Sequence, residues 1–176
     1  MPSRTQAFSL TELLAVLAVV AVVLALAAPS LADMRREMQV RATSHELATT
    51  LAQARMMAIA RAIPFSLCAA DGSGGCRSDG NWDEGWLLYP DPRNAGGARP
   101  GPASLHSRPP PGVRVRSHAS RSGVRFLPDG RTPGSNLTLL ICAGERRPRG
   151  SRIILSNTGR ARFERVASHE TDCPPS

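Results

Sequence analysis

"QAFSLTELLAVLAVVAVVLALAAPSLADM", residues 6–34, is an apolar run carrying one acid near its front, Glu12. From Leu13 to Ala28 no residue is polar. As a helix, the low-charge stretch beginning at Phe8 spans about 31 Å, enough to cross a bilayer. An ordinary secretory signal would explain Arg4 as its basic start and "LALAAPSLA" as a small-residue cleavage site, but that design has no use for Glu12. A carboxylate at the membrane edge costs free energy unless a cation meets it, so it points to function. After Arg4 the neighbouring sequence supplies no such cation.

The chain has 176 residues, room for one modest domain behind an anchor. Its 22 basic residues are all arginine, against 14 acids. From Val113 onward 12 arginines face five acids, whereas the first 112 residues hold 10 against nine. The C-terminal part therefore carries a positive field suited to a polyanion or an anionic surface, or to a solvated face that keeps the protein soluble.

Beyond Pro29, Val40, Ser44, Leu47, Leu51, Ala54 and Ala58 recur on one helical face, and Arg35, Arg36, Glu37, Arg41 and Glu46 take the others. The pattern predicts a helix to about Arg61, ended by Pro64. Met34, Met38, Met56 and Met57 read as helix packing. Short strands follow: "FSLCA", "GWLLYP", "GVRVRS", "GVRFLP", "NLTLLIC", "RIILS" and "RARFERV", separated by Gly, Pro, Asp and Asn turns such as Asp71-Gly72 and Asp129-Gly130. Residues 91–111 are rich in Pro and Gly and are expected to form a mobile loop. The whole reads as α+β, a long N-terminal helix packed on a small antiparallel sheet.

These residues resemble a family. "AFSLTELLAVLAVVAVVLALAAPSL" is similar to the N-terminus of type IV pilins and type II secretion pseudopilins. "WDEGWLLYPD", "VRFLPDGRTPGSNLTLLIC" and "SRIILSNTGRARF" resemble the head domain of the FimT/GspH group of minor pilins. The resemblance implies a leader at 1–7, a membrane and filament-core helix at 8–29, its amphipathic continuation at 30–62 and a β head at 63–176. It implies a prepilin peptidase as partner, cutting between Ala7, where the family prefers glycine, and Phe8, whose new amine is methylated. Glu12 then stands at the family's fifth position and Pro29 where many pilins carry a helix-bending proline. A carboxylate can neutralise a neighbouring subunit's terminal amine in low dielectric, where a paired charge is tolerable and a lone one is not. The further partners implied are other pilins or pseudopilins and the bacterial inner membrane, crossed once with the head in the periplasm.

Four cysteines after an export-like N-terminus favour two disulfides, with three connectivities open. The expected one pairs Cys68 with Cys76, closing a Gly-rich loop, and Cys142 with Cys173, tying the tail to a strand. No C-x-x-C pair occurs, and His45, His106, His118 and His169 lie away from ligand and nucleophile spacings. No catalytic residue, metal, cofactor or small-molecule substrate is therefore expected.

"SNTGRARF", residues 156–163, is a turn between two strand-like runs, with Gly159 free to take positive φ. Arg160 and Arg162, two apart, point to one face of a strand and form a fork suited to phosphates, while Ala161 and Phe163 point inward. Arg152 and the loop arginines Arg146, Arg147 and Arg149 extend the patch if they fold to the same side. A Gly-Arg-x-Arg string is short; its place here resembles the G-R-x-R motif in the last hairpin of FimT-like minor pilins, which bind DNA during natural transformation. The resemblance implies a minor pilin contacting DNA without sequence preference, since aromatic residues for base stacking are few. The alternative is a type II secretion pseudopilin that primes its filament and contacts secreted protein. An exported domain behind an ordinary signal is the remaining option.

Overall fold

The computed structural model describes residues 9–94, 105–117, 121–134, 136–144 and 149–166, with the side chains of residues 149 and 165 excepted. The cleavage positions Ala7 and Phe8, the loop residues Arg146 and Arg147, and Cys173 lie outside the described residues.

Helix α1 runs from Leu10 to Arg61, and its ends have local causes. Ser9 accepts the Glu12 N–H through its hydroxyl at 3.2 Å, a side-chain cap. Ala62 takes a φ of 54°, and Pro64 follows. Pro29 lies inside the helix, which continues through it. The chain divides into two compact units, Met1–Arg35 and Arg36–Ser176. In the first unit the apolar side chains of the helix are exposed, Leu13, Leu17, Val20 and Leu24 among them, over a length sufficient to cross a membrane.

In the second unit Val40, Thr43, Ser44, Leu47, Thr50, Leu51, Ala54 and Ala58 are buried, the stripe expected from the sequence. The buried hydroxyls of Ser44 and Thr50 are satisfied by donating to the Val40 and Glu46 carbonyls at 2.7 and 3.0 Å. Among the described methionines only Met57 packs against the core; Met34, Met38 and Met56 are exposed, which corrects the packing expectation.

Among the described residues eight strands follow: β1 (Phe65–Ala69), β2 (Trp86–Pro90), β3 (Leu105–Ser107), β4 (Val113–Ser117), β5 (Gly123–Phe126), β6 (Leu137–Ala143), β7 (Arg149–Leu155) and β8 (Ala161–Val166). They form two antiparallel four-stranded sheets, ordered β3-β2-β1-β5 and β4-β6-β7-β8, where one small sheet was expected. β3 arises within the stretch expected to be a mobile loop: Leu105 packs against the core and pairs with Leu88. Residues 80–83 tie the sheets together. The Trp82 N–H donates to the Val115 carbonyl at 2.9 Å, and Asp83 accepts the Val115 N–H at 2.7 Å and pairs with Arg116 at 2.5 Å.

The core joins α1 to both sheets through Leu47, Leu51, Trp82, Trp86, Phe126 and Ile141. The Trp86 indole N–H donates to Thr50 at 3.3 Å. β1 is buried on both faces because Cys68 and Cys76 are bonded, with Cα atoms 5.7 Å apart, and their loop covers Ala70, Leu87 and Tyr89. Burial pushes the Tyr89 hydroxyl up from its ordinary pKa, and the nearby Asp91 charge adds to it.

Candidate nucleic-acid interface

The β7–β8 hairpin carries the expected basic pair. Its register sets Leu155 opposite Ala161, Ile154 opposite Arg162, Ile153 opposite Phe163 and Arg152 opposite Glu164. In the connecting turn the Gly159 N–H donates to the Ser156 carbonyl at 2.9 Å, and the Ser156 N–H to the Arg160 carbonyl at 3.0 Å. Gly159 has a φ of +71°, a conformation side chains rarely adopt. It also meets a steric limit, since a Cβ there would collide with the Gly130 carbonyl oxygen.

That carbonyl belongs to a second glycine turn, Asp129-Gly130, laid against the first. Buried Thr132 joins the two turns: its N–H donates to the Asn157 carbonyl and its hydroxyl to the Ser156 carbonyl, each at 2.9 Å. Asp129 accepts the Arg131 backbone N–H at 2.9 Å and its Nε–H at 2.6 Å. These bonds, the backbone one first, hold the Asp129 carboxyl below the usual carboxylate range. Arg131 is thus brought beside the hairpin from a separate stretch of chain. So is Arg55 of α1: Cβ atoms built at Gly130 and Gly159 would lie 2.9 Å from its Nε and 3.5 Å from its Cδ. No local pattern announces that two turns and a helix meet here, so the sequence showed neither residue as part of the site.

Arg160 is exposed, and the Arg162 side chain is 71% exposed. Arg152 shares the outer face with Arg162, as required for an extended patch, but Glu164 stands between them. Its carboxylate lies 3.3 Å from the Arg162 guanidinium and 3.8 Å from that of Arg152. The inward packing expected of Ala161 and Phe163 is only partial. β8 is an edge strand, Ala161 is exposed, and Phe163 stays half exposed with its ring 5.6 Å from that of His45. Arg149 opens β7 opposite Ala143.

The family model described as type II transport protein GspH matches residues 43–159, more than half of the chain. It ends at Gly159, one residue short of the arginine pair. The prokaryotic N-terminal methylation motif matches residues 2–28. Curated protein sequences yield no significant match. Among solved structures, the type IV minor pilin FimU of Pseudomonas aeruginosa (strain PAO1) is similar in two crystal forms. The TM-scores are 0.54 and 0.56 at 19% and 18% identity, covering 70% and 71% of this chain and 91% and 87% of FimU. The minor pseudopilin EpsH from the type 2 secretion system of Vibrio cholerae gives a TM-score of 0.52 at 12% identity, covering 75% of this chain and 99% of EpsH. At these identities the likeness is one of fold. With its N-terminal motif, its long apolar helix and a helix-backed pair of antiparallel sheets, the chain belongs to the GspH family and is a minor pilin or pseudopilin.

Proposed function

We propose that this protein is a minor pilin that a prepilin peptidase cuts between Ala7 and Phe8, N-methylating Phe8. It is held in the inner membrane by one span, with its head in the periplasm, and is then built into a type IV pilus with other pilins. There it binds DNA independently of sequence, with no catalytic role and no cofactor. Cys142 pairs with Cys173 and Glu12 neutralises a neighbouring subunit's amine. The observation that carries the DNA reading is the joint exposure of Arg160 and Arg162 beside a turn fixed by Gly159. Two guanidinium groups on such a support offer forked donors to successive phosphates. Arg131 and Arg152 add to the field.

A second reading has its own support. Glu164 partly neutralises the patch, and the matching family is described by type II transport. In that reading the protein primes a secretion pseudopilus, and the arginines serve protein contacts.

The test is binding of labelled duplex DNA by detergent-solubilised full-length protein across a salt series. Affinity should fall steeply with salt. Arg160→Ala and Arg162→Ala should each lower the slope by about one per lost phosphate contact. Glu164→Gln should raise affinity, and in the Arg162→Ala background that gain should shrink. DNA binding that is absent, or indifferent to the arginine pair, would favour the secretion reading. Mass spectrometry of the N-terminus checks processing independently, an N-methylated Phe8 being the expected product.

A further inference from the structure

Arg55 stands apart from most other arginines of the head. Arg41 pairs with Glu37, Arg77 with Asp79, Arg108 with Glu84, Arg116 with Asp83, Arg125 with Asp91 and Arg131 with Asp129. Arg61 lies over the Phe65 ring. Arg55 has no acid among the described residues, although it is half buried and its Nε is a buried donor without a hydrogen-bond partner. Leaving a buried donor unmet is unfavourable, the more so when it is charged.

The surroundings are shaped to this side chain. Two glycines from turns far apart in sequence meet it: Gly130 leaves out a Cβ that would press on it, and Gly159 lies in ordinary packing contact with its stem. The Gly130 Cβ would stand 2.9 Å from its Nε, and the Gly159 Cβ 3.5 Å from its Cδ. Gly159 immediately precedes Arg160. The glycine of the motif therefore has a second task, holding the hairpin down over a helix cation that lies 105 and 107 positions from Arg160 and Arg162 in sequence, yet beside Gly159 in the fold. A guanidinium flanked by protein is screened less by water than one on the open surface. Its stem is already held, so less freedom is lost when a phosphate arrives.

We propose that Arg55 is a third cation of the same site, contacting a backbone phosphate of nucleic acid together with Arg160 and Arg162. The proposal rests on the DNA reading of the hairpin. A purely structural role would leave the salt slope unmoved, so the slope is the readout.

Arg55→Met keeps most of the stem and removes the charge. In detergent-solubilised full-length protein it should lower the DNA salt slope by about one and weaken binding, with a thermal transition no lower than that of the unmutated protein. An unchanged slope in Arg55→Met, alongside a reduced one in Arg160→Ala and Arg162→Ala, would overturn the proposal and leave the hairpin reading standing. Unmutated protein that fails to bind DNA overturns both. A measurement on the unmutated protein guards against misfolding of the variant. Duplex DNA should protect Arg55 from phenylglyoxal, read by peptide mass spectrometry, to the same degree as it protects Arg160 and Arg162. Protection of the pair without Arg55 sinks the proposal.

Discussion

At Gly159 the backbone turns left-handed, and the Gly130 carbonyl stands where a side chain would begin. The first condition alone makes a non-glycine residue unfavourable by about 1–2 kcal/mol. The second forces one turn off the other and strains the Thr132 bonds that join them. Gly159→Ala should therefore destabilise the head by more than about 2 kcal/mol, seen as a lower midpoint in chemical denaturation. A midpoint within experimental error of the unmutated protein would show that the turns separate freely. The need for glycine at a hairpin turn was legible in "SNTGRARF"; the collision that makes it stricter was not, because Gly130 lies on a different turn.

The second half of α1 is stabilised by what it covers. Leu51 is 2% exposed and belongs to the core shared with both sheets, so Leu51→Ala leaves a cavity that rigid strands cannot fill. A loss of about 2–5 kcal/mol is expected in denaturant titrations. Leu17→Ala on the same helix should leave that transition in place, since Leu17 is 55% exposed. Periodicity exposed the buried stripe from Val40 to Ala58 because a helix repeats its face regardless of its partner. Reading the methionines as helix packing held for Met57 alone among those described. The hydrophobicity of the others is real, but Met38 and Met56 fall on faces that the sheets do not reach, and Met34 is exposed as well.

For the molecule as a whole, the exposed apolar side chains before Arg35 call for an apolar environment, lipid or the helices of sister subunits. On the proposed pairing with a neighbouring amine, Glu12 distinguishes the two environments. A neutral amide in its place removes a charge from the membrane edge but cannot pair with a terminal amine. Glu12→Gln is therefore expected to keep the protein in the membrane fraction and remove it from filaments sheared off the cell. Recovery in sheared filaments at the unmutated level would rule out the pairing role.

What the sequence determined by itself follows from short-range rules. Periods of 3.6 and 2 marked α1 and seven of the eight strands, a run of apolar residues marked the span, and Glu12 and the Gly-Arg-x-Arg string marked two places of chemical interest. Tertiary structure alone decided that the strands divide into two sheets, that Leu105–Ser107 joins one of them, and that Glu164 tempers Arg162. It alone also set Arg55, Gly130 and Gly159 against one another. The reason is physical: a residue's own conformational preference is local, whereas the neighbour across a turn is chosen by how a whole core packs, and no spacing along the chain encodes that distance.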